Sequence, residues 1–317
     1  MTTNVSVAII NFNTAPLLIR CLQNLQRLGE ATEIIVVDNA STDGSAARVQ
    51  QEFPEVTLIA LPENRGLPAG SNLALAKATG TYVLYLGTDA YPEAGVIHGL
   101  ATYLDAHPTV AVATAELRLR DGTLDRDAHR GFPTPWASFT HFSGLNRLFP
   151  HAAWFNQYFL GQKDLAVPHE IDLCISHFMF CRRQVLTALG GWDEDFFLYG
   201  EDVDLCYRVK AAGHKIMYLP QFRVLHYKGA SVGIRKQSSD ISTASEETKL
   251  RATLLSTEAM ARFYRKHLYA RYPLPVSAAV MQGIRLLGIL RRWRARQRHN
   301  RNIREAGNRP GPNRGSN

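Results

Sequence analysis

Cysteine is scarce in this 317-residue chain. Cys21, Cys174, Cys181 and Cys206 stand apart in apolar, periodic sequence and never form a CxxC pair. Zinc ribbons and disulfide frameworks depend on such spacing, so these four are expected to be reduced core residues. The opening MTTNVSVAII has no basic region ahead of its apolar run, which argues against a secretory signal. No uninterrupted stretch of about 18 apolar residues occurs, so no spanning helix is expected. No internal repeat is visible. A reducing, cytosolic setting follows from these absences.

Lysine is missing from one region altogether. From Met281 onward there are ten arginines, no lysine and one acid, Glu305, which accounts for the whole formal charge of +8 and leaves the rest of the chain near neutral. A near-neutral body is a poor nucleic-acid surface, so the basic character belongs to the tail alone.

What is present is alternation. Apolar runs at Val5–Ile10, EIIVVD (Glu33–Asp38), Val56–Ala60 and Thr81–Leu86 read as strands. Helical spacing separates them over Pro16–Leu28, Ser45–Glu52 and Ala69–Thr79 and follows them over Glu93–His107. Asp43, with Ser41, supplies cap chemistry for the second helix. Such alternation predicts an α/β fold with a mostly parallel sheet between helical layers, whose ligands sit at the carboxyl ends of the strands. The polar residues after those ends are Asn11 and Asn13, Asp38 and Asn39, Asn64-Arg65-Gly66, and Gly87-Thr88-Asp89. The segment 121–170, rich in aromatics, His, Pro and Gly, is either a substrate-facing lid or a packing layer. Beyond it come a strand-like run (Cys174–Cys181), a helix (Arg183–Leu189), two short strands (Lys215–Leu219 and Phe222–His226) and a long amphipathic helix (Thr243–His267). The Asp125-Arg126-Asp127 triplet follows no buried strand and is expected in a surface loop.

In FLYGEDVDLCYR, residues 197–208, helical spacing puts Asp202, Cys206 and Val209 on one inward face. Asp204 then points outward, toward a surface ion pair with Arg208. A carboxylate on an apolar face needs a partner or a task.

Several stretches together resemble the family-2 inverting nucleotide-sugar glycosyltransferases of the GT-A (Rossmann-like) fold. They are VSVAIINFNTAPLLIRCLQNL, EIIVVDNASTDGS, ENRGLPAGSNLAL, YVLYLGTDAYPE, GGWDEDFFLYGEDVDLCYRVKAAGHKIMYLP and VLHYKGAS, in the family's order over about residues 5–232. VDNASTDGS with GGWDEDFF and EDVDLC is most similar to the rhamnosyltransferase-like branch, which builds cell-surface polysaccharides. The resemblance implies a catalytic domain over 1–232, with 121–170 facing the acceptor. It implies that Asp38 meets the pyrimidine of a nucleoside diphosphate-sugar, with Asn11, Asn13, Asn39, Arg65, Asn72, Thr88 and Asp89 lining the same cleft. Asp38 could instead cap the next helix, and Asn11 or Asn13 could be plain turn residues. The family usually presents two acidic or amide groups where this chain has LGTD, so Gly87 leaves Asp89 alone to hold a divalent cation, Mg²⁺ or Mn²⁺. His226 matches a second ligand position, or is a core histidine in a strand. Asp202 matches the general base, with Glu201 beside it, the alternative being an acid favoured at a helix start. Trp192, Asp193, Glu194 and Asp195 fall where the acceptor would lie, Trp192 as a stacking platform or as packing.

The C-terminal helices, 233–298, include VSAAVMQGIRLLGILRRWRARQR, whose apolar spacing, arginines and Trp293 suit the anionic cytoplasmic face of a membrane; packing on the body or RNA binding are the other readings. Residues 299–317 are expected to be a disordered basic tail. The resulting expectation is an inverting transferase moving a sugar, L-rhamnose as first choice, from a pyrimidine diphosphate-sugar to a lipid-linked or cell-surface glycan. The alternatives are another UDP-sugar donor, or a weakly catalytic membrane- and glycan-binding protein.

Overall fold

The computed structural model describes residues 4–229 and 246–307. The first described stretch lies in a unit ending at Ala244, the second in a separate unit beginning at Ser245. The expected boundary at 232/233 lies outside the described residues.

In the first unit the strands and helices run β1 (Val5–Asn11), α1 (Ala15–Leu28), β2 (Glu33–Asp38), α2 (Ser45–Glu52), β3 (Thr57–Ala60), α3 (Leu67–Lys77), β4 (Tyr82–Leu86), β5 (Ala90–Pro92), α4 (Val96–Ala106), β6 (Val110–Arg118), α5 (Pro135–Phe142), α6 (Leu145–Leu148), β7 (His169–Ile171), β8 (Phe178–Arg182), α7 (Arg183–Ala188), α8 (Glu201–Ala211) and β9 (Lys215–His226). They form one sheet in the order β3-β2-β1-β4-β8-β6-β9-β5, with β7 also on β9. The β3-β2-β1-β4 side is parallel, as the alternation predicts. Beyond it the sheet is mixed: β8 enters antiparallel between β4 and β6, β6 and β9 pair parallel, and β5 and β7 pair antiparallel with β9. Apolar residues on both sheet faces pack into two clusters, one against α1 and α4, the other against α3 and α8. All four cysteines are free and buried.

Two strand expectations are revised. β6, near the middle of the sheet, is absent from the sequence reading; its run VAVATAEL is buried on both faces and so lacks alternation. The two short strands around Pro220 are one strand, β9, which absorbs the proline where the register against β6 jumps from Ala115↔Leu219 to Glu116↔Arg223. Within 121–170, Phe139, Phe142, Phe149 and Trp154 stand exposed.

The second unit pairs α9 (Glu246–Phe263) with α10 (Leu274–Gly307) through a turn fixed by Ser277, whose hydroxyl meets Tyr264 at 3.1 Å and the Tyr269 carbonyl at 2.9 Å. Arg291 reaches back to Ser256 at 3.0 Å. Leu286, Ile289, Leu290 and Trp293 remain exposed. By length and composition Leu274–Arg294 is apolar enough to cross a membrane, at mean hydropathy 1.2, which corrects the expectation that no such helix exists. Arg285, Arg291, Arg292 and Arg294 interrupt its apolar run, which hides it from a search for consecutive apolar residues. α10 also continues to Gly307, inside the segment 299–317 expected to be disordered; residues 308–317 lie outside the described ones.

Candidate active site

The parallel strands deliver Asn11 and Asp38 side by side in register, because β1 and β2 end together. Buried Asn11 donates to Asp38 at 2.7 Å and to Ser41 at 3.1 Å, and accepts from Thr14 at 2.6 Å. Thr14 meets Thr88 at 3.0 Å, which ties the end of β1 to the turn after β4. Asp38 also accepts from the Ser41 amide at 2.8 Å. Asn13, in the left-handed region at φ 54°, accepts from the Thr42 amide at 2.8 Å. Asp43 accepts from the Ala15 amide at 2.8 Å and the Ser45 amide at 3.1 Å, so one carboxylate serves the starts of both α1 and α2.

Asn39 carries the chain across to the next turn, donating to the Gly66 carbonyl at 2.9 Å and accepting from the Arg65 amide at 2.8 Å. Gly66 has φ +87°, and a Cβ there would stand 2.6 Å from the carbonyl oxygen of Phe197, so only glycine fits. The next amide, Leu67, donates to that same carbonyl at 2.9 Å. Asn72 donates to the Trp192 carbonyl and Glu194, both at 2.9 Å, and accepts from the Trp192 amide at 2.8 Å. Its amide is thus occupied in holding the loop that leads to α8. Arg65 lies 3.6 Å from Glu194, both half-exposed. Asp193 accepts from the Asp195 amide at 2.9 Å, a turn within that loop. Trp192 is corrected from its acceptor-facing role: it is buried in the core, edge-on to Tyr85 at 4.8 Å, and offers no face to a sugar.

Farther along the same carboxyl edge of the sheet three side chains converge. β4 ends at Leu86 opposite Phe178, so Gly87 lies beside His177 and donates its amide to the His177 carbonyl at 2.9 Å. β5 pairs Ala90 with His226. Asp89, His177 and His226 therefore come together, each offering one ligand atom and all three atoms within 4.8 Å of one another. Both Asp89 carboxylate oxygens and His226 Nε2 are buried with no hydrogen-bond partner. Unanswered buried polar atoms are costly, and a carboxylate with imidazole nitrogens is a donor set that a divalent cation answers. The residues therefore fit a metal. His226 Nδ1 meets Asp125 at 2.8 Å, the carboxylate support that orients a ligating imidazole.

Asp125 overturns the expectation of a surface loop. The chain turns back after β6 through an Arg118–Leu124 bridge, and the Asp125 amide donates to the Leu117 carbonyl at 2.8 Å, which buries its side chain between His226 and Lys228. Although burial opposes the charge, His226 and Lys228 hold the carboxyl well below its ordinary range.

Asp202 and Glu201 open α8, both buried. Burial pushes Glu201 up to about 8, and the neighbouring Asp202 charge adds to the shift. Burial also raises Asp202, but the Arg130 guanidinium 4.0 Å away opposes it. Of the two, Asp202 is the one that faces a cation, so Arg130 favours the charged form there while the Asp202 charge disfavours it at Glu201. Ser176 approaches Glu201 at 3.3 Å, while the adjacent His177 ring lies 5.2 Å from that of His226. Residues 176 and 177 thus join the carboxyl pair to the three-ligand corner. Asp204 pairs with Arg208 at 2.7 Å as its spacing predicts, but Asp204 is fully buried and Arg208 only partly exposed, so the pair is not superficial. Arg208 also donates to the Leu189 and Gly191 carbonyls, fixing the turn behind α8.

Asp125, Arg130, Ser176 and His177 are site residues that sequence reasoning missed. Only Asp125 carried a local signal, the Asp-x-Asp spelling.

The family described as Glycosyl transferase family 2 matches residues 6–190. The N-acetylglucosaminyl-diphospho-decaprenol L-rhamnosyltransferase of Mycobacterium tuberculosis is 26% identical over 311 residues, covering 94% of this chain and 97% of that protein. A pre-mycofactocin glycosyltransferase of the same species is 28% identical over 230 residues, 70% of this chain and 42% of the relative. Among solved structures, a mannosyltransferase from Pyrobaculum calidifontis in complex with GDP-Man and Mn²⁺ is similar in fold, with TM-score 0.51 at 20% identity over 93% of this chain and 73% of that one. TarS of S. aureus is similar with TM-score 0.53 at 15% identity, over 91% of this chain and 54% of that one.

Proposed function

We propose, since the chain belongs to glycosyl transferase family 2, that it is an inverting transferase with Asp202 as its general base. The donor is a pyrimidine diphosphate-sugar, L-rhamnose first among the sugars, and the acceptor is a lipid-linked or cell-surface glycan. One observation carries it: two adjacent buried carboxyls, Glu201 pushed up by burial and Asp202 facing the Arg130 guanidinium at 4.0 Å, lie one residue pair away from the Asp89, His177 and His226 corner.

In the transfer the acceptor hydroxyl gives its proton to Asp202 as its oxygen bonds to the anomeric carbon. On the opposite face the bond to the diphosphate breaks, and the diphosphate leaves with the electron pair, so the configuration inverts. Asp89 and His226 would hold a divalent cation, Mg²⁺ or Mn²⁺, which when bound neutralises charge on the leaving diphosphate. Glu201, protonated, donates a hydrogen bond to an acceptor or sugar hydroxyl. Asp38 accepts from the base N–H, held in place by Asn11, while Asn13, Asn39, Arg65, Asn72 and Thr88 shape the donor side. Asp193, Glu194 and Asp195 border the acceptor.

The L-rhamnosyltransferase relative, spanning nearly the whole chain, supports rhamnose, and the decaprenol-linked acceptor in its name supports a lipid-linked one. The exposed aromatics of 121–170 suit such an acceptor. The exposed Leu286, Ile289, Leu290 and Trp293 of α10, with its arginines, support peripheral association with the cytoplasmic face of a membrane. Asp202→Asn tests the base assignment: donor binding by calorimetry should persist while transfer falls by ~10²–10⁴-fold. Transfer within a few-fold of the parent would remove Asp202 from the role.

A further inference from the structure

Gly87 is a glycine because a histidine occupies its side-chain space. A Cβ at Gly87 would stand 2.8 Å from the His177 ring and 3.0 Å from an Asp89 carboxylate oxygen. The ring that fills this space comes from across the sheet, on the residue just before β8, and its nitrogen lies within 4.8 Å of the Asp89 and His226 ligand atoms. His177 is only partly buried, whereas Asp89 and His226 are fully covered, so the corner opens on the His177 side.

We infer that His177 is a third metal ligand, inserted where Gly87 offers none, and that the resulting carboxylate and two-imidazole set selects a first-row transition ion such as Mn²⁺ over Mg²⁺. The inference deepens the cation reading of this corner and rests on it. Mg²⁺ favours oxygen ligands and near-ideal octahedral geometry and keeps its waters, whereas imidazole nitrogen favours the transition ions. Asp125 on His226 Nδ1 leaves Nε2 as that ring's ligating atom. Gly87→Asp alone cannot restore an oxygen ligand, because its side chain would enter the His177 ring. Paired with His177→Ala it can.

The test is pulsed EPR of the intact protein titrated with Mn²⁺ alone, which counts directly bound imidazole nitrogens and needs no variant. Two coordinated imidazoles are expected, falling to one in His177→Ala with ~10–100-fold weaker Mn²⁺ binding. Competition should require at least ~10-fold more Mg²⁺ than Mn²⁺. The Gly87→Asp/His177→Ala double variant should narrow that ratio. One imidazole in the parent protein, or equal affinity for both ions, overturns the inference while leaving an Asp89–His226 site intact. Absence of any bound Mn²⁺ signal, unchanged by Asp89→Asn, overturns the cation reading along with it.

Discussion

The two ends of the sheet's carboxyl edge treat their polar side chains in opposite ways. Where β1 and β2 end, Asn11, Asp38, Asn39, Thr14 and Thr88 bond to one another or to the neighbouring turns, and the set is complete without a ligand. Where β4 and β9 end and α8 begins, Asp89, His226 Nε2 and one Glu201 oxygen are buried without hydrogen bonds, Asp89 and His226 only facing each other at 3.7 Å. The first arrangement is a preformed frame; the second stores unmet bonding capacity. Substitution should therefore harm folding at one end and chemistry at the other.

The largest expected effect lies at the unmet end. Asp89→Asn should lower transfer by ~10³-fold or more, about 4 kcal/mol of barrier, by removing a cation ligand. The metal-free protein should melt close to the parent, because the change removes a buried carboxylate that makes no hydrogen bond and only a 3.7 Å contact with His226. A clear fall in Tm would erase the contrast. At the satisfied end, Asn11→Ala strands the Asp38 carboxylate and the Thr14 hydroxyl. It should cost about 1–3 kcal/mol in denaturant titration and weaken donor binding through Asp38, with kcat affected less than KM. An unchanged unfolding midpoint would mean that the frame is not preformed.

The smallest effect is one of pH. Glu201 is raised from an ordinary 4.5 to about 8, so between those values the folded chain keeps a proton that the unfolded chain has released. The stability contribution is thus complete below about 4.5 and is lost as pH rises toward 8. Thermal melts should fall across that window, and Glu201→Gln, permanently neutral, should flatten the decline. An unaltered slope in the variant would assign the dependence to another group.

The satisfied end was legible in the sequence because its logic is local. Strands β1 and β2 end in polar residues, and parallel order brings such ends together, so Asn11 and Asp38 could be named from position alone. The unmet end was legible only in part. Asp202 declared itself by falling on an apolar helix face. His177 could not, because it becomes a neighbour of Gly87 only when β8 inserts antiparallel beside β4. Asp125 was misread for a related reason: the turn after β6 buries it against a residue about a hundred positions away, which its surroundings in sequence do not announce. β6 itself went unseen because burial on both faces removes the alternation that marks a strand.

The bond from the Leu67 amide to the Phe197 carbonyl, over a glycine that admits no side chain, bears on how such a chain can diverge. It ties the turn at Gly66 to the loop before α8 by a backbone bond, beside the Arg65–Glu194 and Asn72–Glu194 side-chain contacts. Descendants of this sequence that exchange Arg65 or Glu194 keep that bond, while an insertion or deletion in either loop would disturb the Gly66 turn and the start of α8 together. These positions should drift by substitution, and the lengths of the two loops should stay fixed.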